Sequence, residues 1–266
     1  MDNRKAITKP IIQAAIILAA FYALEVVFVY LDVFSNNNLL LSVDILLRII
    51  FGTVSLILLK NYSNRGESKY SVKELFTNRI PAGTWLVLIP FIIYLILPFL
   101  RLTTAYAFGI SVGNVLVITQ QLAVGYFEEA THRGLMMNGL IKHNTNTIKQ
   151  RLFSVFIAGA FFGLSHALNI FFGENPLVQV PFTMLWGMFI AAIYMLSDNL
   201  LLVMVLHTLS DTTFRIVKLF GIMQDAPICR AVEITRDVIE YAVLPVIAIL
   251  ICIFYDKLKL NAKTKK

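Results

Sequence analysis

The sequence is organised around residues 125–137, which read GYFEEATHRGLMM. Four ionisable side chains, Glu128, Glu129, His132 and Arg133, interrupt an otherwise strongly apolar part of the chain. Burying carboxylates in apolar surroundings costs several kcal/mol unless they are paired, protonated or bound to a metal. Such a cluster inside a hydrophobic segment therefore marks a candidate functional site.

The composition of the whole chain is that of an integral membrane protein. It has 266 residues, is 58% hydrophobic and 15% charged, and has a mean hydropathy of +0.75, which lies outside the range of soluble domains. The net charge of +7 comes from basic residues in short loops between apolar segments. That distribution is typical of topogenic signals, so we expect a lipid bilayer as the surroundings and no nucleic-acid partner.

Eight apolar segments are long enough to span a bilayer at about 20 residues each. They lie at residues 10–31, 39–59, 84–100, 105–127, 152–172, 178–197, 200–217 and 238–255. The sequence therefore predicts an all-α, polytopic transmembrane helical bundle of about eight helices. We expect one integral-membrane domain over residues 1–266, with the functional helices within residues 105–217.

The distribution of Lys and Arg predicts the orientation. The loop at residues 60–80 is basic, whereas the turn at residues 32–38 has no Lys or Arg. Because basic loops stay on the cytoplasmic side, both termini are expected to be cytoplasmic. The loop before the last span disagrees, since it carries Lys218, Arg230 and Arg236 on the predicted outer side. Short loops and the lack of an organelle signal favour a bacterial plasma membrane.

Helical spacing separates the roles of the two glutamates. Glu129 and Arg133 are one turn apart in the favourable acid-first order, so we expect them to pair. Glu128 projects about 100° away from Glu129 and lacks that partner. A carboxylate in an apolar site can take a proton from water near neutral pH, which makes Glu128 the better candidate for a general base.

Two later spans supply histidines. His166 follows small residues such as Gly163 that permit close helix approach. His207 and Asp211 lie one turn apart on one face, which fits a structural hydrogen bond, a metal-ligand pair or an oxyanion clamp. Counting about 1.5 Å per residue, Glu128 and both histidines fall within the bilayer at comparable depth. One buried polar site is predicted, and spacing alone leaves both catalysis and polar packing open.

Other polar or aromatic residues in the spans have structural interpretations. Asp44 and Arg48, four residues apart, are interpreted as a neutralising ion pair. Gln120 is interpreted as an interhelical hydrogen-bonding group. Trp186 is interpreted as an interface anchor or as core filling.

Three short motifs on separate apolar helices are Glu128-Glu129-x-x-x-Arg133, Phe162-x-x-x-His166 and His207-x-x-x-Asp211. In this order they resemble the motifs of the CAAX-protease and bacteriocin-processing family (CPBP, or Abi) of intramembrane proteases. The resemblance covers about residues 120–213. His132 and His143 have no counterpart in that pattern and are interpreted as interfacial.

The resemblance implies a membrane endopeptidase in which Glu128 and His166 activate a water molecule, while His207 and the residue at position 211 stabilise the oxyanion. Many relatives have Asn at that position. An ionised Asp211 cannot donate a hydrogen bond, so it is protonated, orients His207 or ligates a metal. Glu128, His166 and His207 are the candidate metal ligands, a set that suits zinc with an open water position.

The resemblance also implies a membrane-associated peptide or protein as substrate. It would be either a prenylated protein or a bacteriocin-like peptide, and the bacterial context favours the second. Two other functions are considered. A non-catalytic scaffold or bacteriocin-immunity protein would bind a partner through its helices, but none of the motifs is eroded. A transporter with a carboxylate proton relay would have inverted repeats and broken helices, and the sequence shows neither.

Overall fold

The computed structural model describes residues 3–30, 37–217, 220–223 and 225–260. The helices in these ranges are α1 (Asn3–Tyr30), α2 (Asn37–Asn64), α3 (Val72–Thr77), α4 (Ala82–Val87), α5 (Ile89–Ile96), α6 (Val112–Glu129), α7 (Asn138–His143), α8 (Ile148–Ser165), α9 (Pro176–Ser197), α10 (Leu200–Val217), α11 (Pro227–Val238) and α12 (Leu244–Leu260). The 3₁₀ segments are Leu97–Thr104 and His166–Phe172, and the π segments are Ala130–Met137 and Ile239–Val243. The strands are β1 (Ala105–Phe108) and β2 (Phe220–Ile222).

The prediction of a polytopic helical bundle in a membrane is confirmed. Among the described residues, six helical segments are long and apolar enough to span a bilayer. They are Ile7–Phe28, Asn37–Asn64, Ile148–Phe172, Pro176–Ser197, Leu200–Val217 and Pro227–Lys259. The predicted count of about eight included two more segments, which are shorter or more polar. The orientation stays a prediction, and residues 31–36 and 261–266, on which it partly rests, lie outside the described residues.

Prolines divide the third predicted span. Pro90 lies in the first turn of α5, and Pro98 lies in the first turn of the following 3₁₀ segment. Proline has no backbone N–H and therefore favours the start of a helix over its interior. The apolar helix that results, Ile89–Thr104, is shorter than a full span.

The prediction that the fourth span begins at residue 105 is wrong. Residues 105–108 form β1, which pairs antiparallel with β2. The helix α6 begins later, after Ser111, whose Oγ accepts a hydrogen bond from the backbone N–H of Asn114 at 3.1 Å. Such a side-chain cap satisfies a backbone donor that would otherwise be unpaired at the helix start.

Glycines let the helices around the polar residues approach closely. A Cβ atom added at Gly125 would lie 2.4 Å from Thr208 Oγ1 and 3.1 Å from the Met204 carbonyl oxygen, so α6 and α10 contact each other there. A Cβ atom at Gly163 would lie 2.7 Å from the Val180 carbonyl oxygen. The predicted close approach at Gly163 is thus confirmed, and it brings α8 against α9.

A buried carboxylate joins the loop before α3 to the far end of the chain. Asp198 lies between α9 and α10 in a left-handed conformation with φ of 51°. Its carboxylate accepts hydrogen bonds from Lys69 Nζ at 2.9 Å, from the Tyr70 hydroxyl at 2.7 Å and from Lys259 Nζ. Burial and the neighbouring carboxylate raise the pKa of Tyr70, which keeps its hydroxyl a donor. These contacts fix the turn that precedes α10.

Candidate functional site

Three helices bring their polar side chains to one point. Glu128 Oε2 on α6 lies 4.0 Å from His166 Nε2 at the end of α8 and 3.8 Å from His207 Nε2 on α10. Glu128 is 7% exposed, and its Oε2 has no hydrogen-bond partner within the described part of the chain. The predicted convergence of these residues on one buried polar site is confirmed.

The carboxylate of the neighbouring Glu129 accepts hydrogen bonds from two side chains. Glu129 is fully buried, and its Oε1 accepts hydrogen bonds from Arg133 Nη1 at 3.0 Å and from His207 Nδ1 at 2.7 Å. Its Oε2 has no partner among the described residues. The predicted Glu129–Arg133 pair is thus confirmed. Because His207 Nδ1–H donates to Glu129, the other ring nitrogen of His207 faces Glu128.

Arg133 also ties a fourth helix to the site. Its Nη2 donates to the carbonyl oxygen of Gly187 on α9 at 3.1 Å. Its guanidinium carbon lies 4.5 Å from the centroid of the Phe162 ring on α8. A fully buried guanidinium is costly unless its donors are paired. Here Nη1 and Nη2 each donate one hydrogen bond, whereas Nε has no partner among the described residues. Arg133 therefore fixes α8 and α9 relative to the glutamates.

The helix changes its winding directly after the glutamates. The predicted continuation of the helix beyond residue 127 is confirmed, but residues Ala130–Met137 form a π-helix rather than an α-helix. All eight residues of this segment are buried. Wider π turns occur frequently at functional sites, and here the π-helix carries Arg133.

Contacts of the ring nitrogens define how the remaining motif residues are held. His166 Nδ1–H donates to the Phe162 carbonyl oxygen at 2.8 Å, so its Nε2 is left for Glu128. Asp211 Oδ2 lies 3.5 Å from His207 Nε2, and the Asp211 side chain is 33% exposed. The structure thus places Asp211 beside the histidine that it was predicted to accompany.

The convergent residues line a cavity of about 460 Å³. Glu128, His166, His207, Asp211 and Trp186 all lie on its wall. A second cavity of about 400 Å³ shares part of this wall, including Arg48, Gln120 and Arg215. The site is therefore a largely polar, partly open space between helices, with a volume in the range of small-ligand sites.

Arg48 belongs to the site, which the sequence interpretation did not recognise. Its predicted pair with Asp44 is confirmed, with Nε 2.9 Å from Oδ1. Arg48 Nη2 also lies 3.2 Å from Glu25 Oε1, and Nη1 lies 3.9 Å from Glu128 Oε1. Gln120 Nε2 donates to Asp44 at 2.6 Å, as expected of an interhelical hydrogen bond. The first two spans contain two carboxylates, Glu25 and Asp44, but one guanidinium, Arg48. This excess of negative charge was the sequence signal of a larger network.

One structural interpretation needs correction. His132 was interpreted as interfacial, but it is 1% exposed, and its Nδ1–H donates to the Glu128 carbonyl oxygen at 2.8 Å. Its ring packs edge-on against Phe162, with centroids 4.9 Å apart, because this face of the π-helix contacts α8. Trp186 is 5% exposed and its ring centroid is 4.6 Å from that of His207, so of its two interpretations core filling is confirmed.

The predicted zinc ligands do not fit zinc as they stand. Among the described residues, no group of three or more His, Cys, Asp or Glu side chains is arranged to hold a metal ion. Ligand atoms of a tetrahedral zinc site lie roughly 3.3 to 3.4 Å apart. The distances from Glu128 Oε2 to His166 and His207 are 4.0 and 3.8 Å. Zinc therefore stays a prediction, and we derive no catalytic step from it.

Comparison with known proteins gives one family match. Residues 110–213 match the family model described as Type II CAAX prenyl endopeptidase Rce1-like. All three motifs lie inside the matched segment, and the match is consistent with the CPBP family that the motifs resemble. Neither a curated protein nor a solved structure gives a significant match to the chain.

Replacing Arg48 by Met is expected to lower the free energy of unfolding by about 3–5 kcal/mol, because it leaves Glu25 and Asp44 buried without their cation. The matched control is Arg65→Met, which removes an exposed pair with Glu67 and is expected to cost no more than about 1 kcal/mol. Both losses in unfolding free energy are measured by unfolding the two variants in detergent micelles. Adding Asp44→Asn to Arg48→Met should recover part of the loss. Equal effects of the two arginine variants would contradict the network.

Proposed function

We propose that this multi-pass membrane protein, whose residues 110–213 match the Rce1-like CAAX endopeptidase family model, is an intramembrane endopeptidase in which Glu128 activates a water molecule. The observation that carries the proposal is the buried Oε2 of Glu128, which has no hydrogen-bond partner among the described residues and lies between two imidazole nitrogens in the cavity wall. A buried carboxylate oxygen without a partner is costly. In an enzyme, its reaction partner is the water that it deprotonates.

We propose that one water molecule bridges these groups. Hydrogen bonds to water span about 2.8 Å, so one water can bond both Glu128 Oε2 and His166 Nε2 across their separation. That separation is 4.0 Å. Since His166 Nδ1–H donates to Phe162, the Nε2 atom of the neutral ring accepts. Both hydrogens of the water are then bound, and an oxygen lone pair is left to attack a peptide carbonyl.

The proposed reaction is hydrolysis without a covalent intermediate. Glu128 takes one proton from the water as the water oxygen bonds to the carbonyl carbon, and the carbonyl oxygen becomes an oxyanion. The carbon–nitrogen bond then breaks, and Glu128 passes its proton to the departing nitrogen. The products are an amine and a carboxylic acid, which ionises. As an imidazolium, His207 would stabilise the oxyanion through Nε2–H while Nδ1–H stays on Glu129.

Glu129 and Arg133 act as positioning residues in this proposal. Glu129 Oε1 holds the Nδ1 side of His207 at 2.7 Å, which directs Nε2 toward the cavity. Arg133 balances the charge of Glu129 from the next turn at 3.0 Å. Asp211, 3.5 Å from His207 Nε2, is proposed to orient the same ring. A carboxylate that contacts a catalytic histidine fixes the tautomer and orientation of the ring. Replacing such a carboxylate therefore typically lowers the reaction rate strongly.

The substrate that we propose is a peptide bond of a membrane-associated peptide or protein. The family description names CAAX prenyl endopeptidases, which supports a prenylated substrate. The resemblance of the motifs to bacteriocin-processing proteins supports a bacteriocin-like peptide, in processing or in self-immunity. The cavity lies between helices that are long and apolar enough to span a membrane, so the substrate would reach it from the bilayer or its surface.

Replacing Glu128 by Gln is expected to lower the rate of peptide cleavage by about 10³-fold or more, because the amide cannot accept the proton from water. Glu74→Gln is the matched control, since this exposed residue can keep its capping contact as Gln. The assay uses purified protein in vesicles with two probes, a farnesylated quenched CAAX peptide and a pool of unprenylated quenched peptides. Wild type and Glu74→Gln should cleave one of them.

The contrary outcome is a wild-type protein that cleaves neither probe, together with a Glu128→Gln variant that protects cells from a peptide toxin as well as wild type does. That result would identify a non-catalytic scaffold or immunity protein, whose polar core is structural.

Metal removal gives an independent prediction. The water activation proposed above uses only side chains, so dialysis against EDTA should leave the cleavage rate within about twofold of the untreated value. The control is dialysis without chelator in the same detergent. A loss that Zn²⁺ restores, and Mg²⁺ does not, would contradict the metal-free scheme and identify the zinc site anticipated from the motifs.

A further inference from the structure

A buried N–H group of a residue that lines the cavity has no role in the scheme above. Trp186 lies on α9 and is 5% exposed. Its Nε1 atom is buried and has no hydrogen-bond partner among the described residues. Leaving an N–H group unpaired in the interior costs about 1–3 kcal/mol, so each case calls for an explanation. The indole lines the same 460 Å³ cavity as Glu128 and His207.

The indole is held firmly beside the reacting groups. Its ring centroid is 4.6 Å from that of His207, in an edge-to-face arrangement, and 5.5 Å from that of Phe162. The next residue, Gly187, accepts a hydrogen bond from Arg133 through its carbonyl oxygen. The ion pair that holds Glu129 therefore also fixes the position of Trp186. A pre-positioned donor loses little freedom when it binds a ligand.

The oxyanion needs a second donor beside His207, and an ionised Asp211 does not supply one. An ionised Asp211 has only acceptor oxygens, and its Oδ2 faces His207 Nε2 at 3.5 Å. Sites for tetrahedral intermediates usually offer more than one donor to the developing charge. Within the cavity wall, the Trp186 N–H is an uncommitted neutral donor next to His207.

Resting on the proposed endopeptidase function, we propose that the Trp186 indole N–H donates a hydrogen bond to the scissile carbonyl oxygen and to the oxyanion formed from it. Trp186 is then a catalytic residue on α9, the helix between those that carry the second and third motifs. The hydrogen bond strengthens as charge develops on the oxygen, so its main effect is on kcat rather than on KM.

The test replaces Trp186 by Phe, which keeps a ring against His207 and Phe162 but removes the N–H. The sequence contains one other tryptophan, Trp85, which is 53% exposed, so Trp85→Phe is the matched control. With the same two quenched probes, Trp186→Phe is expected to lower kcat by about 10²-fold with KM within about threefold of the control. A kcat equal to that of Trp85→Phe, or a loss confined to KM, would overturn the proposal.

A second variant covers the case in which Trp186→Phe fails to fold. Benzothienylalanine introduced at position 186 keeps the shape of indole and replaces N–H by sulfur. It should show the same loss of kcat. A fully active benzothienylalanine protein would overturn the proposal, because then the shape of the ring suffices.

The NMR signal of the Trp186 indole N–H gives a further test. It would not respond to an oxyanion if the ring only filled space. In the Trp85→Phe protein, Trp186 supplies the single indole N–H signal in a ¹H–¹⁵N spectrum. A phosphinic peptide, whose tetrahedral oxyanion mimics the intermediate, should shift that signal downfield. An unchanged signal in the presence of a phosphinic peptide that inhibits cleavage would contradict the proposed hydrogen bond.

Glu128→Gln, assayed beside these variants, separates the two proposals. If Glu128→Gln abolishes cleavage and Trp186→Phe does not reduce it, the inference about Trp186 fails and the endopeptidase function stands. If wild type cleaves neither probe, the endopeptidase function fails, and the inference about Trp186 fails with it.

Discussion

The site depends on one shared acceptor, Glu129 Oε1, which binds Arg133 and His207 at the same time. Through these two bonds the carboxylate joins the helix of the first motif to α10, and Arg133 extends the connection to Gly187 on α9. Ionised groups buried in an apolar bundle stabilise it only when their geometry leaves few donors unpaired. The glycine contact between α6 and α10 at Gly125 provides the short distance that this geometry needs.

Two adjacent glutamates thus have opposite energetic roles. Among the described residues, each glutamate keeps one oxygen without a hydrogen-bond partner. The other oxygen of Glu129 accepts two hydrogen bonds, whereas the other oxygen of Glu128 lies 3.9 Å from Arg48. Proteins place poorly satisfied groups at functional sites and offset the cost elsewhere. Here Arg48 and its partners Glu25 and Asp44 form the compensating charge network around Glu128. Stability and reactivity are divided between neighbouring residues.

Local spacing made part of this structure predictable. Apolar segment lengths gave the helical membrane bundle, and the one-turn separation of Glu129 and Arg133 gave their pair. Long-range packing could not be read in the same way. Arg48 reaches Glu128 from a different helix, and Trp186 reaches His207 through the position of α9. The pairing of β1 with β2 joins strands more than 100 residues apart in sequence, which no local pattern specifies.

The central claim is that Glu129 stabilises the fold while Glu128 serves the reaction at some cost in stability. The most direct measurement compares the unfolding temperatures of Glu128→Gln and Glu129→Gln in the same detergent. We predict that Glu129→Gln lowers it strongly, corresponding to about 3–5 kcal/mol for a broken buried pair. Glu128→Gln should leave it unchanged or raise it, since a neutral amide replaces a poorly paired carboxylate. The opposite order, or equal losses, would contradict this division of roles.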